Sequence, residues 1–411
     1  MESSSVERIE SQNQIPQILE PSKGTSFFRT CFNGINALSG IGIISVPYAL
    51  SEGGWLCMMI LFLVAIISCY TGLLLQKCMS VSPSIKTYPD IGEFAFGNKG
   101  RILISIFLYL ELYFVAIEFL ILEGDNLHKL FPNAKIHVGC LKIVGREFFV
   151  FLVAIIILPT TWLRSLGLLA YISAGGVLAS VVLVCSVFWV GAVDGIGFEE
   201  KGVIWRWNGL INAISMFTFC YCGHAVFPTI CNSTKDRSQF PKVLSVCFIL
   251  STMTYGSMAT MGYLMYGQNL MSQITLNLPT GKISSKIAIY TTLINPITKY
   301  ALVISPIATA IEDKLPLRQS KFIASYFIRT FLVISTVIVA LVVPFFGYVM
   351  TFTGALLGVT VSILLPCLCY LKIVKTPSYL EVVFIGVILV FGSSVSISGT
   401  YISLKNIISH V

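Results

Sequence analysis

The sequence predicts an all-α membrane protein with about eleven transmembrane helices. Three observations carry that prediction. First, the 411 residues are 55% hydrophobic and only 11% charged, with a mean hydropathy of +0.85. A soluble surface needs about a quarter of its residues charged, so this chain cannot solvate a globule of its size. Second, apolar runs of roughly 20 residues, the length that crosses a bilayer core, recur along the chain. Third, two of those runs are interrupted at mid-span by glycines and polar residues, which hydrocarbon tolerates only around a protected cavity.

From Met1 to Ser26 the chain is polar, carries Glu2, Glu7, Glu10 and Glu20, and has no apolar segment of the kind a secretory signal needs. It reads as a disordered cytosolic tail over 1–26. The spans fall at 27–49, 55–79, 102–123, 147–163, 168–192, 208–230, 241–266, 284–311, 321–343, 346–371 and 379–403. A transmembrane domain thus covers 27–403, followed by a C-terminal tail over 404–411. An odd number of spans puts the termini on opposite sides. Lys and Arg are more frequent on the side of the N-terminus, which makes that side cytosolic. Residues 80–101, with Tyr88-Pro89-Asp90-Ile91-Gly92, read as a short amphipathic cytosolic segment. Glycosylation at the one N-x-S/T site, Asn232-Ser233-Thr234, would contradict this topology. The longest loop on the other side, 124–146, carries His128 and His137 as solvated residues, and Glu123 is expected in water at the membrane edge.

The net charge of +8 is spread between the apolar runs and forms no basic stripe, which argues against a nucleic-acid partner. Of the 12 cysteines, all but Cys140 lie within or at the ends of apolar runs, so no disulfide framework is expected. Cys220-x-Cys222 and Cys367-x-Cys369 have no second pair or suitable histidine; they read as small packing residues and not as a metal site. No cofactor is implied.

The candidate site lies at the two interruptions. The first run holds Asn33, Gly34, Asn36, Ser39, Gly40, Ile41 and Gly42, then Pro47. An unwound turn there would free several N–H groups, and the following half-helix would aim its positive end at them, a geometry suited to a carboxylate. The sixth run repeats the device with Tyr221, Cys222, Gly223 and His224, then Pro228. Breaks at matching places in two halves point to a transporter site. Glycines that only let helices pack closely would write a similar pattern. Charges inside spans come next, because they are costly and often functional. Glu111 and Glu118 sit seven residues apart on the third span, and Lys299 lies near the centre of the eighth. An ion pair between Lys299 and one glutamate is the expected arrangement, either structural or coupled to proton movement. His224 is a binding-site candidate and could also titrate.

Gly34 to Trp55 (GINALSGIGIISVPYALSEGGW) resembles the first helix of the amino acid/auxin permease family, nearest its plant vacuolar amino-acid transporters. Phe219 to Thr229 (FCYCGHAVFPT) and Asn295 to Leu302 (NPITKYAL) support it. The resemblance implies a LeuT-like 5+5 inverted repeat plus one helix, with proton-coupled carriage of amino acids. By position it places Ser39 to Gly42 and Cys222 to His224 in the substrate site. The reading of the interrupted runs adds Asn36 and Tyr221 to that site and leaves Glu111, Glu118, His224 and Lys299 as proton-coupling candidates. It further implies a vacuolar membrane, with the plasma membrane second. Two alternatives share the fold: an amino-acid sensor, and an auxin-type organic acid carrier. A membrane enzyme is disfavoured, as the chain has no HExxH, Walker A or Ser-His-Asp signature. The expected partners are an amino acid, protons and the lipid bilayer.

Overall fold

The computed structural model describes residues 24–138, 141–162, 166–314 and 321–410. The cytosolic tail expected over 1–26 lies outside them except for its last three residues. The chain is a helical bundle, and its order follows the apolar runs. The first run is divided into α1 (Phe27–Leu38) and α2 (Gly42–Gly53), bent by 52° across residues 39–41. Then come α3 (Cys57–Ser80), α4 (Tyr88–Leu130), α5 (Arg146–Trp162) and α6 (Leu166–Ala192). The sixth run is again divided, into α7 (Leu210–Cys220) and α8 (Phe227–Ser233). After these come α9 (Phe240–Tyr266), α10 (Ile283–Glu312) and α11 (Lys321–Val342). The tenth run is α12 (Phe346–Phe352), a π-helical stretch over 353–364, and α13 (Leu365–Ile373). The last helix, α14 (Tyr379–His410), continues through the residues expected to form the C-terminal tail.

Among the described residues, eight helices are long and apolar enough to cross a membrane, and the bent α1/α2 pair would make a ninth. At 17 residues α5 is short for a full crossing, and α7 has only 11. Outward faces carry Ile155, Leu178, Phe327, Phe331, Val390 and Ile397, all well exposed. Apolar surface on that scale suits hydrocarbon rather than water.

The connections sort onto two faces. On the face of the N-terminus, Thr25 pairs with Thr234, Asn232 donates to Lys86 O, and Lys77 meets Glu381 at 2.8 Å. On the opposite face, Trp55 and Leu56 donate to Val203 and Ile204 carbonyls, and Arg146 caps Pro344 O. Asn232, the glycosylation-type asparagine, is therefore occupied on the N-terminal face.

Two expectations change here. The loop expected over 124–146 is shorter, because α4 continues to Leu130 and the chain then forms a two-stranded hairpin, β1 (Lys135–Val138) against β2 (Leu141–Val144). Glu123 and His128 thus belong to the helix. Glu123 is 1% exposed, not solvated, because α4 runs on for two more turns, which residues 273–276 cover.

The amphipathic segment expected before the third span is the first part of α4. A capping box at Thr87 and Asp90 starts it, and at Gly97 the chain leaves helical geometry with φ of 68° before the long helix begins. The turn folds the segment back so closely that a Cβ on Gly100 would sit 2.3 Å from Gly92 O. Arg101 closes the fold by pairing with Glu93 and, at 3.5 Å, with Asp90. Replacing Gly100 with Val should destabilise the protein by about 1–3 kcal/mol, seen as a lower melting temperature in detergent. An unchanged melt would show that this close approach is dispensable.

Candidate functional site

The two breaks lie against each other. A Cβ on Gly42, the first residue of α2, would meet Cys220 Sγ at 2.6 Å and Cys220 Cα at 3.2 Å. Glycine is needed at 42 for that contact between the start of α2 and the end of α7. Gly40 has no such neighbour within 4 Å of side-chain room other than Leu38 O at the limit. Its place in the break reflects backbone freedom, not crowding.

Breaking a helix frees backbone groups that must find partners in a bilayer. At the end of α1, Ser39 N donates to Ile35 O at 2.6 Å and Gly40 N to Leu38 O at 2.8 Å. The freed carbonyls are met by two side chains from other helices. Tyr255, fully buried on α9, places its hydroxyl 2.5 Å from Leu38 O and 3.0 Å from Cys220 O, the last carbonyls of α1 and α7. Lys299, half-buried on α10, donates its ammonium to Asn36 O at 3.2 Å and Ser39 O at 3.3 Å.

Lys299 therefore does not pair with Glu111 or Glu118, as charge alone suggested. No ion pair among the described residues includes it; the carbonyl dipoles at the α1 terminus attract the cation in place of a carboxylate. By contrast, the first turn of α2 has no side-chain cap. The break thus presents N–H groups on one side and cation-covered carbonyls on the other. The side-chain oxygens of Asn36 and Asn295 meet over Gly176 of α6, which has no room for a Cβ. Beside Gly40 and Ile41 is a cavity of about 10 Å³ lined also by Ser180, Thr292 and Asn295, room for about one water.

The second break spans residues 221–226. Tyr221 is buried, donates its hydroxyl to Thr252 Oγ1 at 2.9 Å and stacks on Phe248. Cys222 Sγ lies 3.3 Å from Ser362 Oγ on the π-helical stretch and also meets the Glu111 carboxyl. Gly223 is pressed between Phe227 and Leu38. His224 is buried, with Nε2 3.0 Å from both Ser68 O and Thr71 Oγ1 on α3. A carbonyl only accepts, so Nε2 carries the hydrogen in the contact to Ser68. Its Nδ1 is buried with no hydrogen-bond partner among the described residues.

Glu118 is fully buried one face with Glu111, as its spacing predicted, and touches the other side of the π-helical stretch. The Thr353 hydroxyl lies 2.8 Å from Glu118 Oε1 and 2.9 Å from Val349 O. A hydroxyl has one hydrogen and the carbonyl only accepts. Both contacts are met together only when Glu118 itself carries a proton.

The two faces differ around this centre. On the face away from the N-terminus a cavity of about 620 Å³ reaches Tyr48 of α2, among Asp125, His128, Lys129, Tyr348 and His410. Tyr48 is about 9 Å along α2 from the break. On the N-terminal face, Thr25 N donates to Ser233 O at 2.8 Å and Lys235 N to Thr25 O at 3.1 Å, tying the start of α1 to the end of α8. Sequence reading had no signal for Tyr255, one of three tyrosines in the 241–266 run, nor for Thr353.

The model of the family described as "Transmembrane amino acid transporter protein" matches residues 23–405. Amino acid transporter AVT1I of Arabidopsis thaliana is 53% identical over 94% of this chain and 96% of its own length. AVT1J of the same plant is 48% identical over 98% of this chain and 96% of its own, and AVT1C is 45% identical over 98% and 74%. The likeness first read in Gly34 to Trp55 thus extends over nearly the whole chain, which belongs to the transmembrane amino acid transporter family.

Proposed function

We propose that this chain is a proton-coupled secondary transporter that carries amino acids by alternating access, with the vacuolar membrane as its site and the N-terminus in the cytosol. The observation that carries the reading is the pair of touching helix breaks with opposite polarity at their ends. The uncapped start of α2, at Ile41 to Ile43, suits the substrate carboxylate. Lys299 and Tyr255 occupy carbonyls of the first break, so the substrate ammonium falls to the second, among Tyr221, Cys222 and Gly223. His224 acts there as a positioning group that holds the break against α3. The plant relatives' names, which state amino acid transport, support the substrate class.

Carbonyls at the end of a half-helix are where transporters of this kind hold a coupling cation. Here the Lys299 ammonium stands in that place as a tethered cation, which favours coupling to protons over sodium. Glu118, whose contact with the Thr353 hydroxyl can accommodate a proton on either partner, and Glu111 beside Cys222 are the acids that would exchange it. The vestibule on one face, which stops at Tyr48 short of the breaks, and the backbone clasp on the other would be the two ends of an alternating-access cycle. In that cycle the five-plus-five repeat would rock around the breaks, with α14, the least enclosed long helix, outside it.

The deciding measurement is uptake of radiolabelled amino acids into proteoliposomes under an imposed pH gradient, with and without sodium. Uptake should follow the gradient and ignore sodium; a strict sodium requirement would remove the tethered-cation role. In the same assay Lys299→Met should lower uptake at least tenfold, because two buried carbonyls lose a charged donor worth about 1.5–3 kcal/mol. Wild-type rates in that variant would show the ammonium to be incidental. For the clasp, a Thr25→Cys, Thr234→Cys pair should cross-link under oxidant, since the two residues face each other in the bridge that joins the start of α1 to the end of α8. Cross-linking should arrest net uptake reversibly; undiminished uptake in the linked protein would mean that this face does not open there.

A further inference from the structure

The vestibule away from the N-terminus has a floor built by an inserted loop. Between α9 and α10 the chain buries Leu270, Gln273, Ile274, Thr275 and Leu278 inside the bundle. The end of α4 holds that loop down. Asn126 Nδ2 donates to Gln273 Oε1 at 2.6 Å, Gln273 Nε2 donates to Asp125 Oδ2 at 2.9 Å, and Lys129 Nζ donates to the carbonyls of Thr275 and Leu276 at 3.0 and 2.5 Å. Each of these groups is accounted for.

One turn deeper on the same helix is Glu123, three residues before Asn126 and so on a neighbouring part of its face. It is 1% exposed, and both carboxyl oxygens are buried without a hydrogen-bond partner among the described residues. The side-chain oxygen of Asn126 above it is also unpartnered. The surrounding charges are committed elsewhere: Asp125 faces Arg146 at 3.7 Å, Arg146 also caps Pro344 O and Ala340 O, and Lys129 is held by the loop. His128 and His410 stand at the vestibule wall, and neither hydrogen-bonds to Glu123. Among the described residues nothing hydrogen-bonds to or pairs with a carboxylate there, and a buried acid left so is costly when charged.

We propose that Glu123 is a proton-binding residue of the transport cycle, loaded from the vestibule past Asp125 and the Gln273 amide. A proton passes from vestibule water to a Glu123 oxygen, leaving the carboxyl neutral while the loop is seated. Its release requires the loop and the end of α4 to admit water or a cation, so discharge is tied to movement of the vestibule floor. This rests on the proton-coupled reading above, but it adds a group separate from Glu111 and Glu118, which touch Cys222 and Thr353.

The test separates proton-driven accumulation from substrate exchange, in proteoliposomes holding the full chain. Glu123→Gln should keep counterflow exchange of amino acid within about twofold of wild type and lose accumulation driven by a pH gradient at least tenfold. Accumulation within twofold of wild type would overturn the proposal. Wild-type accumulation indifferent to the gradient would instead sink the coupled reading, and this inference with it. If the glutamine variant does not assemble, Glu123→Asp keeps the acid and moves it. The pH midpoint of accumulation should then shift by at least half a unit, and an unmoved midpoint would equally overturn the assignment.

Discussion

The hydroxyl of Tyr255 lies within hydrogen-bond reach of the last carbonyl of α1 and the last carbonyl of α7. A bilayer offers no water to a freed carbonyl, so each broken helix needs a partner from elsewhere in the bundle. One buried phenol lies within reach of both breaks and, with a single hydrogen, donates to one of the two carbonyls at a time, which ties the breaks together. With the carbonyl ends held, the contact of Gly42 with Cys220 follows, and the uncapped start of α2 is brought beside the second break. The site is a consequence of how the helix ends are satisfied.

Lys299 completes the same accounting on the other side of α1. A lysine at mid-membrane is costly, and charge alone suggests that a buried glutamate should balance it. Asn36 O and Ser39 O balance it instead, because a helix C-terminus carries about half a negative charge on unpaired carbonyls. Glu118 and Glu111 are then left without a cation. Glu118 leans on a threonine at the start of a π-helical stretch, and Glu111 meets a thiol at the second break. The separation of lysine from acids makes the acids protonatable in place, where an ion pair would have held them charged.

The breaks were legible because the residues that permit them are written locally: Ser39-Gly40-Ile41-Gly42 and Tyr221-Cys222-Gly223-His224 stand out in apolar surroundings. The partners that make the breaks tolerable were not legible. Tyr255 and Thr353 are ordinary residues in apolar runs, and only the fold brings them to Leu38 and Glu118. Lys299 was visible as a charge, yet its acceptors are backbone atoms, which no residue type announces. Glu123 was misplaced for a simpler reason. The apolar run fades at residue 123, but α4 continues to Leu130, where its polar last turns are covered by the inserted loop.

The clasp between α1 and α8 and the floor of the opposite vestibule are held by different means, and the difference bears on how each opens. The clasp consists of main-chain hydrogen bonds between Thr25 and residues 233–235, contacts insensitive to protonation. The floor of the opposite vestibule is held by side-chain amides and an ammonium on α4, directly above a carboxyl group. A change of proton occupancy can act on the second closure far more readily than on the first. The main-chain clasp must instead respond to motion of α1 and α8, the two half-helices on the N-terminal-face side of the breaks. Substrate at the breaks and protons near the vestibule would then each govern one gate, with Tyr255 and Lys299 keeping the centre intact while either opens.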